Sequence, residues 1–325
     1  MRRVVGVVLA LVLLALTILT VARFLDTSVR WVILMSSFSS YAALGFLLVL
    51  LGCLFALRRP PRSRWLAIGA VVAGVGLAVQ SWVLVPLFVG ADEERASDLT
   101  VMTSNLRFGR GDATAVVRLV AAEKVDVLVL EEVTPKSLAR LVEAGLTELL
   151  PNRRGTPVVT AAGTMVFSRY PLTAPRPFEL AKGGVDVRVA APEPLRLLAV
   201  HAAYPLEKPE PWLTDLETVR TRTAAAVAEG PSLVVGDFNA THDHAPMRAV
   251  LGSGVRDAAE QAGAGWQPTW PTTRHGQDWL SPLLTIDHVL TSPHFVAVRT
   301  ESYEIPRTDH LVLIARLRGT AATSS

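Results

Sequence analysis

The chain has 325 residues, half of them hydrophobic, with a formal net charge of +3 and one cysteine. The charge is unevenly spread: residues 1–90 hold eight arginines and one acidic residue, a net charge of +7, so the remainder carries 3 − 7 = −4. A mildly acidic remainder argues against a protein that binds nucleic acid tightly through many phosphate contacts. The single cysteine, Cys53, lies within an apolar run, which excludes a disulfide framework and thiol catalysis.

Three apolar runs without any charged residue dominate the first 90 positions, at 4–22, 31–57 and 65–90. Each is long enough to cross a hydrocarbon core of roughly 30 Å as a helix, so the sequence predicts three transmembrane helices. A cleaved signal peptide is the alternative for the first run. Its nineteen residues, however, exceed the roughly 7 to 15 of a usual signal-peptide core.

Arginine placement predicts the orientation of these helices. Arg2 and Arg3 precede the first run, and four more arginines occupy positions 58, 59, 62 and 64 between the second and third runs. Positive residues beside spans stay on the cytoplasmic side. We therefore expect a multi-pass protein of the cell membrane with a cytoplasmic N-terminus and an extracytoplasmic domain after residue 90, a re-entrant hairpin being the alternative.

From residue 99 onward, strand-like and helix-like runs alternate, which is typical of an α/β domain. Three of the strand-like runs end on oxygen-bearing side chains: Asn105, the pair Glu131 and Glu132, and the pair Asp237 and Asn239. In α/β sheets ligands bind outside the strand ends, where residues from distant positions converge. Any one carboxylate could simply begin a loop, but three such ends together favour a catalytic site.

A second set of polar residues interrupts apolar surroundings further along the chain: His201, Asp287, His288, Asp309 and His310. A histidine held by a neighbouring aspartate can act as an acid or base towards a phosphate. For His288 the simpler interpretation is a core histidine. For His310 the adjacent Asp309 and the strand that follows favour a functional role.

Eight short motifs follow one another in a fixed order: SNLRFG (104–109), DVLVLEEV (126–133), FSRYPL (167–172), VHAAYP (200–205), GDFNAT (236–241), TW (269–270), IDHVL (286–290) and TDH (308–310). Together they resemble the endonuclease/exonuclease/phosphatase superfamily, the DNase I-like metallohydrolases. The resemblance does not cover the first 90 residues.

The resemblance implies an α/β (α+β) fold in which two packed mixed β-sheets flanked by helices form a four-layer sandwich. Combined with the apolar runs, it predicts a three-helix anchor at 1–90, a linker at 91–98, a catalytic domain at 99–318 and a flexible tail at 319–325. It also implies hydrolysis of phosphoesters with Mg²⁺ or Mn²⁺. These ions prefer oxygen ligands, so one or two carboxylates and an amide suffice.

Matched position by position, the resemblance implies metal-site roles for Asn105, for Glu132 as the principal carboxylate, and for Asp309. Glu131 stands where many relatives carry Gln, so the ligand could be either Glu131 or Glu132, and strand alternation would direct only one of them inward. Arg107 stands where some nuclease relatives have an acid, and it could contact phosphate instead.

The catalytic roles follow in the same way. Asp237 resembles the acid that activates or orients the attacking water, and Asn239 its partner on the phosphate. His310 resembles the phosphate-facing histidine, which Asp287 orients, and His201 matches a second phosphate or leaving-group contact. The remaining histidines, at 242, 244, 275 and 294, are expected on the surface.

These features predict a membrane-anchored, extracytoplasmic, metal-dependent hydrolase of phosphoester bonds, most simply of phosphodiesters. Its substrate would be a lipid headgroup, an envelope phosphoester or nucleic acid, and its other partner the lipid bilayer. The alternatives are an extracellular endonuclease on DNA or RNA and a catalytically inactive binding module with the same fold. A transporter is disfavoured, because the spans lack the ionisable residues that mark transport pathways.

Overall fold

The structure, a computed structural model, describes residues 2–58, 63–90, 98–272 and 282–320. Most of the predicted linker and the last five residues of the predicted tail lie outside these ranges, as does His275. Two compact units are present, one dominated by the N-terminal helices and one by β-sheets, and each is described by itself.

The N-terminal unit contains three long apolar helices, α1 (Arg2–Ala22), α3 (Ala42–Leu57) and α4 (Arg64–Leu84). With the short turns that flank them, they form candidate membrane spans over Val4–Ala22, Ser39–Leu57 and Arg64–Phe88. Leu13, Phe46 and Ala73 pack together between them. Most of their other apolar side chains are exposed, an arrangement that water penalises and a hydrocarbon solvent does not.

The three predicted long apolar helices are present, and in the second apolar run the long helix is preceded by a break. A short helix, α2 (Arg30–Ser36), is followed by a 3₁₀ turn at Ser39–Tyr41 before α3 begins. The Ser36 hydroxyl donates to the Ile33 carbonyl (2.7 Å). Local side-chain hydrogen bonds of this kind compete with helical ones, which accounts for the interruption within a serine-rich segment.

The second unit contains the remaining helices and all twelve strands of the described chain. The helices are α5 (Ala113–Ala122), α6 (Pro135–Glu143), α7 (Leu146–Leu149), α8 (Pro209–Glu229), α9 (Ala245–Leu251) and α10 (Ala258–Gln261). The strands are β1 (Leu99–Asn105), β2 (Val127–Glu131), β3 (Asn152–Gly155), β4 (Met165–Ser168), β5 (Leu172–Arg176), β6 (Gly184–Val189), β7 (Leu195–His201), β8 (Ser232–Asp237), β9 (Arg256–Asp257), β10 (Asp287–Thr291), β11 (Phe295–Glu304) and β12 (Leu311–Gly319).

These strands form two six-stranded mixed sheets, in the orders β11-β12-β1-β2-β4-β3 and β5-β6-β7-β8-β10-β9. Side chains such as Val101 and Val129 of the first sheet meet Leu197 and Val235 of the second in a common apolar core. Because side chains alternate along a strand, the neighbouring residues face the opposite way, where α5 and α6 cover the first sheet. The predicted pair of packed mixed sheets with flanking helices is confirmed.

Register places the polar strand ends side by side. In the first sheet Asn105 at the end of β1 is paired with Glu131 at the end of β2. In the second sheet Asp237 of β8 lies between His201 of β7 and Asp287 of β10. Because these are central strands of packed sheets, the two rows of polar side chains meet at one end of the shared core.

Candidate active site

Asp237 is the centre of the polar cluster. It is buried, and its Oδ2 lies 3.7 Å from Nε2 of His201 and 3.9 Å from Nε2 of His310. Burial raises the pKa of Asp237 to about 7; the charge of Asp287 adds to the rise and His310 opposes it. Asp237 can therefore take up and release a proton near neutral pH.

His310 is paired with Asp287 through a 2.9 Å hydrogen bond from Nδ1 to Oδ2. Burial alone would lower the pKa of His310, but the charge and hydrogen bond of Asp287 outweigh it and raise the pKa to about 10. The ring is thus an imidazolium at neutral pH, and its Nε2 is directed towards Asp237. Asp287 fixes the orientation of the ring.

His201 has the opposite character. Burial lowers its pKa to about 3, and the charges of His310 and Lys182 act in the same direction, so the ring is neutral. The loop that follows His201 is fastened by Asp215 of α8, which accepts a hydrogen bond from the Ala203 backbone N–H (2.7 Å). The site therefore combines one neutral and one charged imidazole.

Asn105 connects the two sheets. Its Nδ2 lies 3.0 Å from Oδ2 of Asp237 and 3.4 Å from Oε1 of Glu132. Glu132 adopts a left-handed backbone conformation (φ 56°) directly after β2, which turns its carboxylate towards the loop after β1. There its Oε2 accepts a hydrogen bond from the Phe108 backbone N–H (2.5 Å).

Glu131 lies between the sheets instead. Its Oε1 accepts a hydrogen bond from the Thr103 hydroxyl (3.0 Å), and its Oε2 is buried without a hydrogen-bond partner among the described residues. Burial raises its pKa well above the usual range, and the charges of Asp287 and Asp237 add to the rise. Burial therefore favours the neutral form of Glu131, in which the side chain is similar in shape to that of glutamine.

The two other predicted site residues lie at the edge of this cluster. The Asn239 backbone N–H donates to Oδ1 of Asp237 (2.9 Å), while its Nδ2 donates to the Ala202 carbonyl (3.0 Å). Asp309 lies on the outer side, with its Oδ2 3.6 Å from Nε of Arg107. All eight residues predicted from the sequence are thus assembled at one end of the two sheets.

A second cluster lies on the other face of β10. Both ring nitrogens of the buried His288 face oxygen atoms, Nδ1 facing Oδ2 of Asp257 (2.7 Å) and Nε2 the Ala240 carbonyl (2.8 Å). His242 also bonds to Oδ2 of Asp257 (3.0 Å), and part of its side chain remains exposed. His244, also expected on the surface, is buried.

Hydrogen bonding on both sides makes His288 a core histidine that supports the strand. Burial would lower its pKa, but the hydrogen bond and charge of Asp257 outweigh burial and raise it. One ligand atom each from His242, Asp257 and His288 lie within 4.8 Å of one another, as do those from Asp237, Asp287 and His310. In the group of His242, Asp257 and His288, both ring nitrogens of His288, one of His242 and the Asp257 carboxylate already have hydrogen-bond partners within the protein.

The carboxylate-rich cluster suits a hard divalent cation. Asp237 lies beside the buried Asp287, and Oδ1 of Asp287 lacks a hydrogen-bond donor among the described residues. Buried carboxylate oxygens without donors are costly unless a cation or proton compensates them. The donors are oxygens and an amide, the set that Mg²⁺ and Mn²⁺ prefer.

Comparison with known proteins is consistent with this geometry. The model of the Endonuclease/Exonuclease/phosphatase family matches residues 102–310. No curated protein sequence matches the chain significantly.

Several solved structures share the fold. An endonuclease/exonuclease/phosphatase from Beutenbergia cavernae is 22% identical (TM-score 0.52), with 70% of this chain and 73% of that chain covered. A mannosyl-6-phosphatase from Bacteroides thetaiotaomicron is 18% identical (TM-score 0.53; 67% and 99% covered). TDP2 from D. rerio, complexed with a single-strand DNA product, is 15% identical (TM-score 0.56; 68% and 98% covered).

We predict that Glu131→Gln stabilises the metal-free protein, increasingly so as the pH rises. The folded-state pKa of Glu131 lies above its unfolded value of about 4.3, so its favourable contribution is complete below that value and is lost at higher pH. Glutamine keeps the shape without the titrating proton. Thermal unfolding with EDTA in detergent should show a gap between the two midpoints that widens from pH 5 to 8, roughly 2 to 4 °C for each kcal/mol.

The control is Glu143→Gln, since Glu143 is an exposed carboxyl on α6. Its unfolding midpoint should follow that of the wild type at every pH. A gap between Glu131→Gln and wild type that stays constant with pH would show that Glu131 is not protonated in the folded protein.

Proposed function

Because the chain belongs to the endonuclease/exonuclease/phosphatase family, we propose that it hydrolyses a phosphoester, and more narrowly a phosphodiester, with Mg²⁺ or Mn²⁺. The observation that carries this proposal is the contact of one amide, that of Asn105, with carboxylates from both sheets, Glu132 and Asp237. His310 approaches Asp237 from the same side. A single phosphate bound here could therefore contact a proton acceptor, a charged histidine and a metal ion held by oxygen ligands.

Asp237 is proposed to accept a proton from the attacking water. Its pKa of about 7 suits a general base, and the Asn239 backbone N–H holds one of its oxygens. As the water oxygen forms its bond to phosphorus, the bond to the ester oxygen breaks on the opposite side. The departing oxygen then requires a proton or a positive charge nearby.

His310 and His201 are proposed to serve the phosphoryl oxygens and the departing group. The charged His310, held by Asp287, stabilises negative charge that grows on the phosphate oxygens. The neutral His201 contributes a hydrogen bond without adding charge. One amide hydrogen of Asn239 is used by the Ala202 carbonyl, and the other can contact the phosphate.

Glu132, with Asn105 and Asp309, would hold the divalent ion. Of the two adjacent glutamates, Glu132 is favoured because its carboxylate faces the Asn105 amide, whereas Glu131 is hydrogen-bonded to Thr103 between the sheets. The ion would supply positive charge that neutralises the phosphate oxygens and the departing oxygen.

Relatives of this fold act on different phosphoesters, so the fold leaves the substrate open. One carries the name of a mannosyl-6-phosphatase and another binds a DNA product. We propose a lipid headgroup, an envelope phosphoester or a nucleic acid as the substrate of this chain. An extracellular endonuclease is the narrower alternative, and an inactive binding module is the alternative from a different class.

The three apolar helices support a further part of the proposal, an anchor at residues 1–90 that holds a catalytic domain at 99–318 outside the cytoplasm. This orientation is supported by the arginines before the first helix and between the second and third helices, because positive residues beside spans stay on the cytoplasmic side.

We predict that Asp237→Asn and His310→Gln each lower kcat for bis(p-nitrophenyl) phosphate at least about 100-fold in the presence of Mg²⁺. Removal of a general base or of a charge at the phosphate has effects of this size. His294→Gln, which changes a partly buried histidine outside the cluster, should retain wild-type activity. If Asp237→Asn and His310→Gln keep wild-type turnover, these residues have no part in the mechanism. If the wild type shows only background turnover and calorimetry detects no Mg²⁺ binding, the inactive binding module is favoured.

We also predict that the soluble domain is accessible from outside intact cells. In a Cys53→Ser background, Lys208→Cys should react with a membrane-impermeant maleimide without cell lysis, because Lys208 is exposed in the domain. Arg58→Cys, at the end of α3, should react only after lysis. The reverse pattern would place the domain in the cytoplasm.

A further inference from the structure

A strongly basic pocket borders the candidate active site. It has a volume of about 530 Å³ and opens to solvent, and its lining residues are Arg107, Phe108, Gly109, Arg110, Thr134, Lys136, Arg140 and Arg307. Five of these eight residues are cationic and none is acidic. Such a concentration of positive charge is unexpected in a domain whose net charge is negative.

The pocket is connected directly to the proposed metal side of the site. The Phe108 backbone N–H donates to Glu132, and Nε of Arg107 lies 3.6 Å from Asp309. The loop that carries Arg107 to Arg110 therefore contacts the cluster on one side and lines the pocket on the other. A group in the pocket would lie next to a phosphate held at the cluster.

Only some of the cationic side chains of the pocket are paired with acceptor groups of the protein. Arg307 pairs with Asp112 (2.7 Å), and Arg140 donates to the Gly109 carbonyl, while its Nε is buried without a hydrogen-bond partner among the described residues. Arg110 and Lys136 are exposed and have no carboxylate partner within the described ranges. The pocket thus has cations available for an anionic ligand.

The loop itself is held in place. Gly109 has a left-handed conformation (φ 67°), and a side chain there would lie 2.5 Å from the Thr134 hydroxyl oxygen and 2.7 Å from that of Ser137. This close packing holds Arg107 and Arg110 against the start of α6. The side chain of Phe108, 54% exposed, adds an aromatic surface beside the cations.

We propose that this pocket, residues 107–110 with Lys136, Arg140 and Arg307, binds a second phosphate of the substrate next to the scissile one. The inference rests on the proposed function and narrows it to substrates with two phosphates. Arginine and lysine side chains recognise phosphate oxygens through charge-assisted hydrogen bonds. A nucleotide with a further phosphate and a phospholipid with a phosphorylated headgroup share this chemistry.

The test compares matched substrates with the full-length protein in detergent micelles and Mg²⁺. One pair is thymidine 5′-(p-nitrophenyl phosphate) with and without a 3′-phosphate. The other is phosphatidylglycerol with and without a phosphate on its terminal hydroxyl group. We expect kcat/KM to be at least about tenfold higher for the doubly phosphorylated member of one pair, the value of one charged hydrogen bond.

The pair that shows the preference identifies the source of the second phosphate. The double variant Arg110→Gln/Lys136→Gln should reduce the preference to a ratio near one. Arg153→Gln/Arg154→Gln removes two exposed cations of β3 that do not line the pocket, and this control should keep the wild-type ratio.

Two results would overturn the inference: equal kcat/KM within both pairs, or a preference that survives in Arg110→Gln/Lys136→Gln. If the wild type cleaves all four substrates without preference, only the second-phosphate site is wrong. If it cleaves bis(p-nitrophenyl) phosphate but none of the four, only this inference fails. If it cleaves neither bis(p-nitrophenyl) phosphate nor any of the four, the proposed hydrolase function fails and this inference fails with it.

Discussion

The central constraint on this domain is the burial of several carboxyl groups at one place, where two sheets meet. Glu131, Asp237 and Asp287 are all buried and within electrostatic reach of one another. Like charges this close cannot all be ionised in a dry environment without a counter-charge. Burial favours the neutral form of Glu131, and the charged ring of His310 is paired with Asp287. We propose that a divalent ion supplies further positive charge at this place.

Strand pairing brings these groups together. Asp237 and Asp287 are directly opposite on β8 and β10, and His201 is beside Asp237 on β7. A shift of one residue in either register would turn one of them away from the core end. The apolar residues between the sheets fix that register. The same contacts that stabilise the domain therefore position the groups that we propose for catalysis.

The amide of Asn105 adds the link between sheets. Hydrogen bonds to carboxylates are stronger than neutral ones, and this amide faces two carboxylates that come from different sheets. The backbone carbonyl of Asn105 also accepts a hydrogen bond from the Thr308 hydroxyl (2.6 Å). This bond connects the segment that carries His310 to β1. Asn105 thus holds both halves of the cluster at once.

The strand ends were predictable from the sequence, because an apolar run that stops at Asn, Glu or Asp is typical of a buried strand whose end borders a ligand site. The different directions of the Glu131 and Glu132 side chains were not predictable, because simple alternation stops at the left-handed residue after β2. Strand β11 (Phe295–Glu304), an edge strand of the first sheet, is harder to predict because polar residues interrupt its apolar ones from Arg299 onward.

Other features depended on long-range contacts. Asp257, which satisfies both His288 and His242, lies in a two-residue strand that has no periodic pattern. The basic pocket brings together Arg107, Lys136 and Arg307 from three separate loops and helix ends, so no local motif predicts it.

The most direct test of a shared metal-binding cluster is a crystal structure of the Mn²⁺-soaked protein with anomalous scattering recorded at the manganese edge. We predict one strong peak in contact with the Glu132 carboxylate, beside Asn105, and the loss of this peak in Glu132→Gln. A peak only at His242, Asp257 and His288, or no peak at saturating Mn²⁺, would contradict it.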